Sequence, residues 1–264
     1  MGEAIHITPE QVHFFNDNGY LVVSGIVDAE ELAWMRAAYD RIFDAKAGRE
    51  HGDQFDLAGT DEDDVEARLP QILSPSKYAP ELLEGKFRER VLAVAHALLG
   101  NDAELGGDHA ILKPAKTGAE TPWHQDEAYW DPSFDYRSFS AWIPLQHVTV
   151  ENGCMWFIPG SHKLEVAPHH SIGHDPRVHG LEAEGIDTSR AVACPIAAGY
   201  ATFHLSRTLH YTGPNLSNGP RRAYILGAGI KATPRTDGRS FPWNDAKQTA
   251  REVRSKSQNR IEEK

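Results

Sequence analysis

The first hundred residues alternate between helical and extended spacing of their apolar positions. Thr8, Pro9 and Gln11 have the pattern of a capped helix start: a hydroxyl at the cap, proline in the first turn, and an amide able to reach back. They precede "VHFFNDNGY". "YLVVSGI" then reads as a strand, and Asp28 with Glu31 forms a second capping box ahead of "AEELAWMRAAYDRIFDAKAG". "GTDEDDVEA" is expected to be an exposed acidic loop. "GKFRERVLAVAHALLG" returns to helical periodicity and stops at Gly100.

From about Asp108 the pattern changes. "HAILK", "SFSAWIPLQHV", "CMWFIP", "RAVACPI", "YATFHL" and "RAYILGAGI" are short candidate strands separated by Gly, Pro, Asn and charged residues. That spacing predicts an all-β sandwich or barrel rather than a doubly wound sheet. Residues 163–190 lack comparable regularity and are expected to hold a long surface loop. Beyond about Thr233 the pattern dissolves, and "AKQTAREVRSKSQNRIEEK" reads as a short helix or a disordered tail. The expected organisation is one domain over 1–264: helical support with a strand over about 1–107, a β core over about 108–231, and a tail over about 232–264.

Composition narrows this picture. The 264 residues, 40% of them hydrophobic, suffice for one large core. A formal charge of −11, with no long basic run, opposes nucleic-acid binding. The two cysteines, Cys154 and Cys194, lie far apart in apolar surroundings and are expected to be buried free thiols. No basic-apolar leader opens the chain, and no run of 18 apolar residues occurs in it. A soluble cytoplasmic protein with no membrane partner is therefore expected; oligomeric state is not legible.

The candidate chemistry begins in "TPWHQDEAYW". In an extended strand, residues two apart share a face, so His124 and Asp126 project together while Gln125 points away. An imidazole and a carboxylate suit a borderline divalent metal, yet an isolated HxD equally describes local hydrogen bonding at a strand edge. The carboxyl half adds His210 and, eleven residues later, Arg221. Two histidines and one carboxylate would occupy one face of an iron ion, and Arg221 offers a bidentate grip to a carboxylate beyond it. His204, six positions before His210, competes as the distal ligand, with a pocket role as its alternative.

Three blocks in order, "WHQDEAYW", "SAWIPLQHVTVENGCMWFIPGSHK" and "ATFHLSRTLHYTGPNLSNGPRRA", preceded by "TPEQVHFFNDNGYLVVSGIVDAEEL", closely resemble the phytanoyl-CoA dioxygenase family of Fe(II)/2-oxoglutarate oxygenases. The resemblance covers nearly the whole chain. It implies a double-stranded β-helix, the jelly-roll or cupin-like fold, mostly β with helices packed outside. It places the iron ligands on His124, Asp126 and His210, the 2-oxoglutarate-binding arginine on Arg221, a cosubstrate hydroxyl on Thr212 and a pocket aromatic on Trp142. His210 is preferred over His204 because the family pattern H-x-x-G-x-N-x-S-x-x-x-R begins there.

The implied function is a dioxygenase that uses Fe(II), 2-oxoglutarate and molecular oxygen to oxidise, and chiefly to hydroxylate, a small organic metabolite, releasing succinate and CO2. A carboxylate at Asp126 argues against halogenation, which relatives perform with a small residue there. Tyr129, Trp130, Phe134 and Tyr136 follow the metal pair and are candidates for the substrate entrance, as is His204. No nucleotide-cradling glycine motif or dense basic patch supports a coenzyme A thioester. His169, His170 and His174 look metal-like, but they lie in the irregular segment without an ordered acidic partner and outside the matched ligand set; simple exposed histidines are expected, with a substrate-facing loop and then a second metal site as the alternatives. Two other readings stay open: a cupin-like metalloenzyme that needs no 2-oxoglutarate, and a noncatalytic small-molecule sensor on the same scaffold.

Overall fold

The computed structural model describes residues 5–62, 65–116 and 119–262. Both predicted capping boxes form: Thr8 with Gln11 opens α1 (Pro9–Asn18), and Asp28 with Glu31 opens α2 (Ala29–Asp44) after β1 (Tyr20–Val23). Next come β2 (Gln54–Asp56), β3 (Pro70–Leu73), α3 (Phe87–Leu99), β4 (Glu104–Lys113) and β5 (Thr121–His124). β6 (Phe134–Asp135), β7 (Ser138–Pro144), β8 (Met155–Phe157), β9 (His169–Ser171) and β10 (Leu181–Ala183) follow. The chain closes with β11 (Val192–Cys194), β12 (Ala201–Leu205), β13 (His210–Thr212), β14 (Arg221–Gly229), β15 (Thr233–Pro234), α4 (Pro242–Asp245) and α5 (Ala250–Glu262).

A seven-stranded sheet in the order β1-β12-β7-β14-β4-β3-β2 packs against a four-stranded sheet, β11-β8-β13-β5. Side chains alternate between the two faces of a strand, and β7 shows the consequence. Phe139, Ala141 and Ile143 pack under the helices with Phe15, Met35, Tyr39 and Val91. Ser138, Ser140 and Trp142 point the other way, into a cavity between the sheets. Tyr20, Trp142, Met155, Phe157 and Cys194 close one side of that space as a second apolar cluster. This is the double-stranded β-helix expected from the sequence, with both cysteines free and buried.

Several elements depart from the sequence-based expectation. β2 and β3, not anticipated, extend the large sheet through β3 pairing with β4. Residues 163–190 are not only loop: β9 and β10 pair antiparallel, Glu182 opposite His170. In the acidic loop Asp61 is buried, because Arg49 and Arg254 grip its carboxylate; Asp63 and Asp64 lie outside the described residues. The tail forms α5, docked by that Arg254 contact and by the Arg251 guanidinium, 4.9 Å over the Phe55 ring. Its charges are thus tertiary contacts as well as solvated groups.

Candidate metal centre and cosubstrate pocket

His124 ends β5 and His210 opens β13, and the two are direct partners across that antiparallel pair. Their rings lie 4.1 Å apart between centroids. In each, Nδ1 donates to the carbonyl two residues earlier, Pro122 at 2.7 Å and Thr208 at 2.9 Å. A proton fixed on Nδ1 leaves the lone pair on Nε2, the arrangement a metal requires of imidazole. Burial pushes both histidines below their ordinary pKa.

Asp126 is not in the strand. Gln125 is extended, and Asp126 begins a short 3-10 turn, Asp126–Tyr129. The carboxylate nevertheless converges with the histidines: Oδ1 lies 3.8 Å from His124 Nε2 and 3.5 Å from His210 Nε2. One donor atom from each of the three residues falls within 4.8 Å of the others. Oδ2 is held from behind, accepting the Ser140 hydroxyl at 2.6 Å with His204 Nε2 at 3.4 Å. Burial raises the Asp126 pKa, but His210, His204 and His124 together override it and hold the carboxyl well below its usual range. Two neutral imidazoles and a carboxylate fit Fe(II) and leave room for other ligands.

Arg221 opens β14 with 1% of its surface exposed. Its Nε and Nη1 have no hydrogen-bond partner, and its guanidinium stands 5.4 Å from the Trp142 ring. Burial lowers its pKa to about 9. An uncompensated buried cation is costly, so this fork calls for an anion from outside the chain, and a carboxylate matches its geometry. Thr212 lies nearby in the cavity wall, its hydroxyl donating to Thr121 Oγ1 at 3.0 Å. Lys113, opposite Arg221 on β4, is fully buried, and its ammonium donates to the carbonyls of Ala119, Thr212 and Gly213. It fastens the turn that carries Thr212.

These groups share one cavity of about 580 Å³. His124, Asp126, His210, Arg221, Thr212 and Trp142 all line it, as do Tyr129, Trp130, Tyr136 and His204. Phe134 is not among the lining residues; its ring packs 6.4 Å from Tyr136. The sequence reading missed Ser140, Gln71, His109 and His179. Ser140 had a signal, since it stands two positions before Trp142 and shares its face. Gln71, on the unanticipated β3, had none. Of the histidine cluster, His169 is buried and ordered: its Nε2 accepts the Gln125 N–H at 3.2 Å and its Nδ1 donates to Ala167 O at 2.7 Å.

A jelly roll that brings two histidines, a carboxylate and an unpaired arginine to one cavity defines an Fe(II)/2-oxoglutarate-dependent oxygenase, an enzyme of oxidative chemistry. The chain belongs to the phytanoyl-CoA dioxygenase family, whose model matches residues 15–223. It is similar to EvdO2 from Micromonospora carbonacea var. aurantiaca, solved in complex with 2-oxoglutarate: 38% identity, TM-score 0.78, over 92% of this chain and 99% of that one. It is also similar to the non-haem α-ketoglutarate-dependent epimerase SnoN from nogalamycin biosynthesis, at 25% identity and TM-score 0.65 over 88% of this chain and 87% of that one.

Mouse phytanoyl-CoA dioxygenase, peroxisomal, is 25% identical over 82% of this chain and 67% of its own length, and the human and rat enzymes carry the same name. The expectation of a cytoplasmic protein is corrected by these relatives. Among the described residues no helix is long and apolar enough to cross a membrane. The buried metal centre suits a small-molecule substrate.

Proposed function

We propose that this chain, as a single oxygenase domain, hydroxylates a neutral small organic metabolite, with His124, Asp126 and His210 holding Fe(II). Arg221 holds the distal carboxylate of 2-oxoglutarate, Thr212 contributes a hydroxyl beside it, and Trp142 walls the pocket. The observation that carries this reading is the unpartnered, fully buried Arg221 fork in the same cavity as the three metal-binding side chains. A cupin-like metalloenzyme without 2-oxoglutarate would have no use for that cation.

Iron, 2-oxoglutarate and oxygen supply the oxidising power when bound, one oxygen atom entering the substrate and the other succinate, with loss of CO2. The chain's own contribution is position. The Nδ1–H bonds of His124 and His210 hold their rings, and Ser140 holds Asp126. Among the described residues lining the cavity, Arg221 is the only Lys or Arg; the rest are mainly apolar, aromatic or neutral polar. That lining favours an uncharged substrate over the polyanionic coenzyme A of a thioester. The likeness to SnoN, an epimerase from nogalamycin biosynthesis, supports a small-metabolite substrate.

The test is anaerobic: load the chain with Fe(II), titrate 2-oxoglutarate, then admit oxygen with candidate neutral metabolites and follow succinate and product. Binding of both, followed by substrate-stimulated succinate release and a product heavier by one oxygen atom, is the expected result. Failure to bind either Fe(II) or 2-oxoglutarate defeats the proposal. Tight binding of both with no turnover of any metabolite would favour the sensor.

A further inference from the structure

Read along the sequence, His170 and His174 lack an ordered acidic partner, since Asp175 is gripped by Arg177; the fold supplies one. β10 runs back along β9, and just past its end the Glu184 N–H donates to Pro168 O at 2.8 Å. This brings Glu184 Oε1 to 3.8 Å from His170 Nε2. The His170 Nδ1 donates to Ser171 O at 2.7 Å, which fixes the proton there and leaves the Nε2 lone pair on the side of Glu184. His174 arrives from the turn after β9, where Gly173 and His174 both have positive φ, 65° and 56°. A left-handed histidine is uncommon, and such backbone persists where surrounding structure holds it, often at ligand sites. Here it lays the His174 ring on the His170 ring, centroids 3.7 Å apart. Single donor atoms of His170, His174 and Glu184 lie within 4.8 Å of one another.

We propose that His170, His174 and Glu184 form a second divalent-cation site, for an ion of the Zn2+ class, separate from the iron centre. None of the three lines the cavity. Two imidazoles with one carboxylate suit Zn2+, whereas Mg2+ and Ca2+ require mostly oxygen donors. In a tetrahedral site with bonds of about 2.0–2.2 Å, neighbouring donors stand roughly 3.4 Å apart, close to the present His170–Glu184 separation. Ligation turns the exposed His174 ring out of the stack to converge on the ion; water fills the fourth position. The ion joins the two ends of the segment 170–184. Within it the Leu181 N–H donates to the Tyr129 hydroxyl at 2.8 Å, and the His179 ring stacks 5.7 Å from that of Tyr129. Both Tyr129 and His179 line the cavity, so the second ion fixes a wall of the substrate pocket.

The experiment is equilibrium dialysis of the metal-free, tag-free chain against Zn2+, with folding checked by circular dichroism. The wild type should bind two equivalents, because the iron ligands also accept Zn2+. His174→Ala and Glu184→Gln should each retain only the tight binding at the iron ligands. Loss of an outer partner already weakens metal sites about 10–100-fold, so loss of a direct ligand should weaken the second site at least tenfold. His210→Ala should retain one equivalent, and His174→Ala combined with His210→Ala none. One equivalent in the wild type, or two undiminished equivalents in folded His174→Ala and Glu184→Gln, overturns the proposal. Should His210→Ala not fold, the comparison of wild type with His174→Ala decides alone. Glu184→Gln should bind Fe(II) and 2-oxoglutarate as the wild type does, which separates this site from the oxygenase centre.

Discussion

Ser140 donates its hydroxyl to Asp126 Oδ2 at 2.6 Å, while Asp126 Oδ1 faces the two histidine rings. The carboxylate is thereby oriented, one oxygen committed to the protein and the other free for a metal. Ser140→Ala removes the tether without touching a proposed ligand. Fe(II) affinity should fall about 10–100-fold, the usual effect of losing an outer hydrogen bond at a metal site. Anaerobic Fe(II) titration of the folded variant reads this directly, and unchanged affinity would leave the tether without a role in binding.

Two histidines compete for the distal position, and the same titration separates them. His210→Ala should abolish tight Fe(II) binding. His204→Ala should leave binding largely intact, since the His204 Nε2 faces Asp126 Oδ2, the oxygen already taken by Ser140. The reverse result would transfer the ligand role to His204.

Arg221→Leu removes the donors proposed for the 2-oxoglutarate carboxylate and also the buried, unpaired charge. Cosubstrate affinity should fall by about 2–5 kcal/mol, the range for truncating one partner of a buried charged contact. Fe(II) binding should persist. Equal 2-oxoglutarate affinity in wild type and variant, measured on the anaerobic Fe(II) protein, would reject Arg221 as the clamp.

Glu127, fully buried beside Asp126, accepts from Arg207 Nε at 3.0 Å and from Arg239 Nη1 at 2.7 Å. Glu127→Ala leaves two largely buried guanidinium groups short of a counter-charge. A destabilisation of about 3 kcal/mol is expected, visible as a lower urea midpoint. A midpoint within error of the wild type would show that Asp135 and Glu165 take over, as both already stand near these arginines.

Burial lowers the His169 pKa to about 4 from 6.5, and its Nε2 must stay unprotonated to accept the Gln125 N–H. A folded pKa below the unfolded one means that the fold favours the neutral ring. The contribution is complete above about pH 6.5 and is lost as pH falls toward 4. It amounts to at most about 3 kcal/mol. His124 and His210 shift in the same direction, so the comparison must be made between chains that keep both. Thermal melts of the metal-free His169→Gln chain should show a shallower loss of stability between pH 6.5 and 4 than the wild type. Parallel curves would remove His169 from the acid response.

What the sequence disclosed followed the range of the interactions. Capping boxes are written within four residues, and both Thr8–Gln11 and Asp28–Glu31 formed as read. The His124, Asp126 and His210 convergence was legible through an ordered motif, although the geometric reason differed: Asp126 approaches from a 3-10 turn, not along the strand. Ser140 was recoverable from strand periodicity. The tail was read as either a short helix or disorder, and its docking was not legible, because what holds α5 is Asp61 and Phe55, almost two hundred residues earlier in the chain. Glu184 stayed invisible beside His170 for a similar reason, since only the β9–β10 pairing brings them together.

The Glu127–Arg207 bridge has a further chemical implication. Glu127 adjoins Asp126, and Arg207 lies three residues before His210, so this ion pair braces the two arms that deliver the proposed ligands without itself contributing one. A receptacle already assembled cannot discriminate by refusing to form around the wrong guest. Its intrinsic preference then follows the ordinary ranking of divalent metals, in which cobalt, nickel and copper bind more tightly than ferrous iron. At the proposed site, the metal carried would then follow what the surrounding compartment supplies at the moment of loading, and mismetallation is the failure that a preassembled receptacle invites.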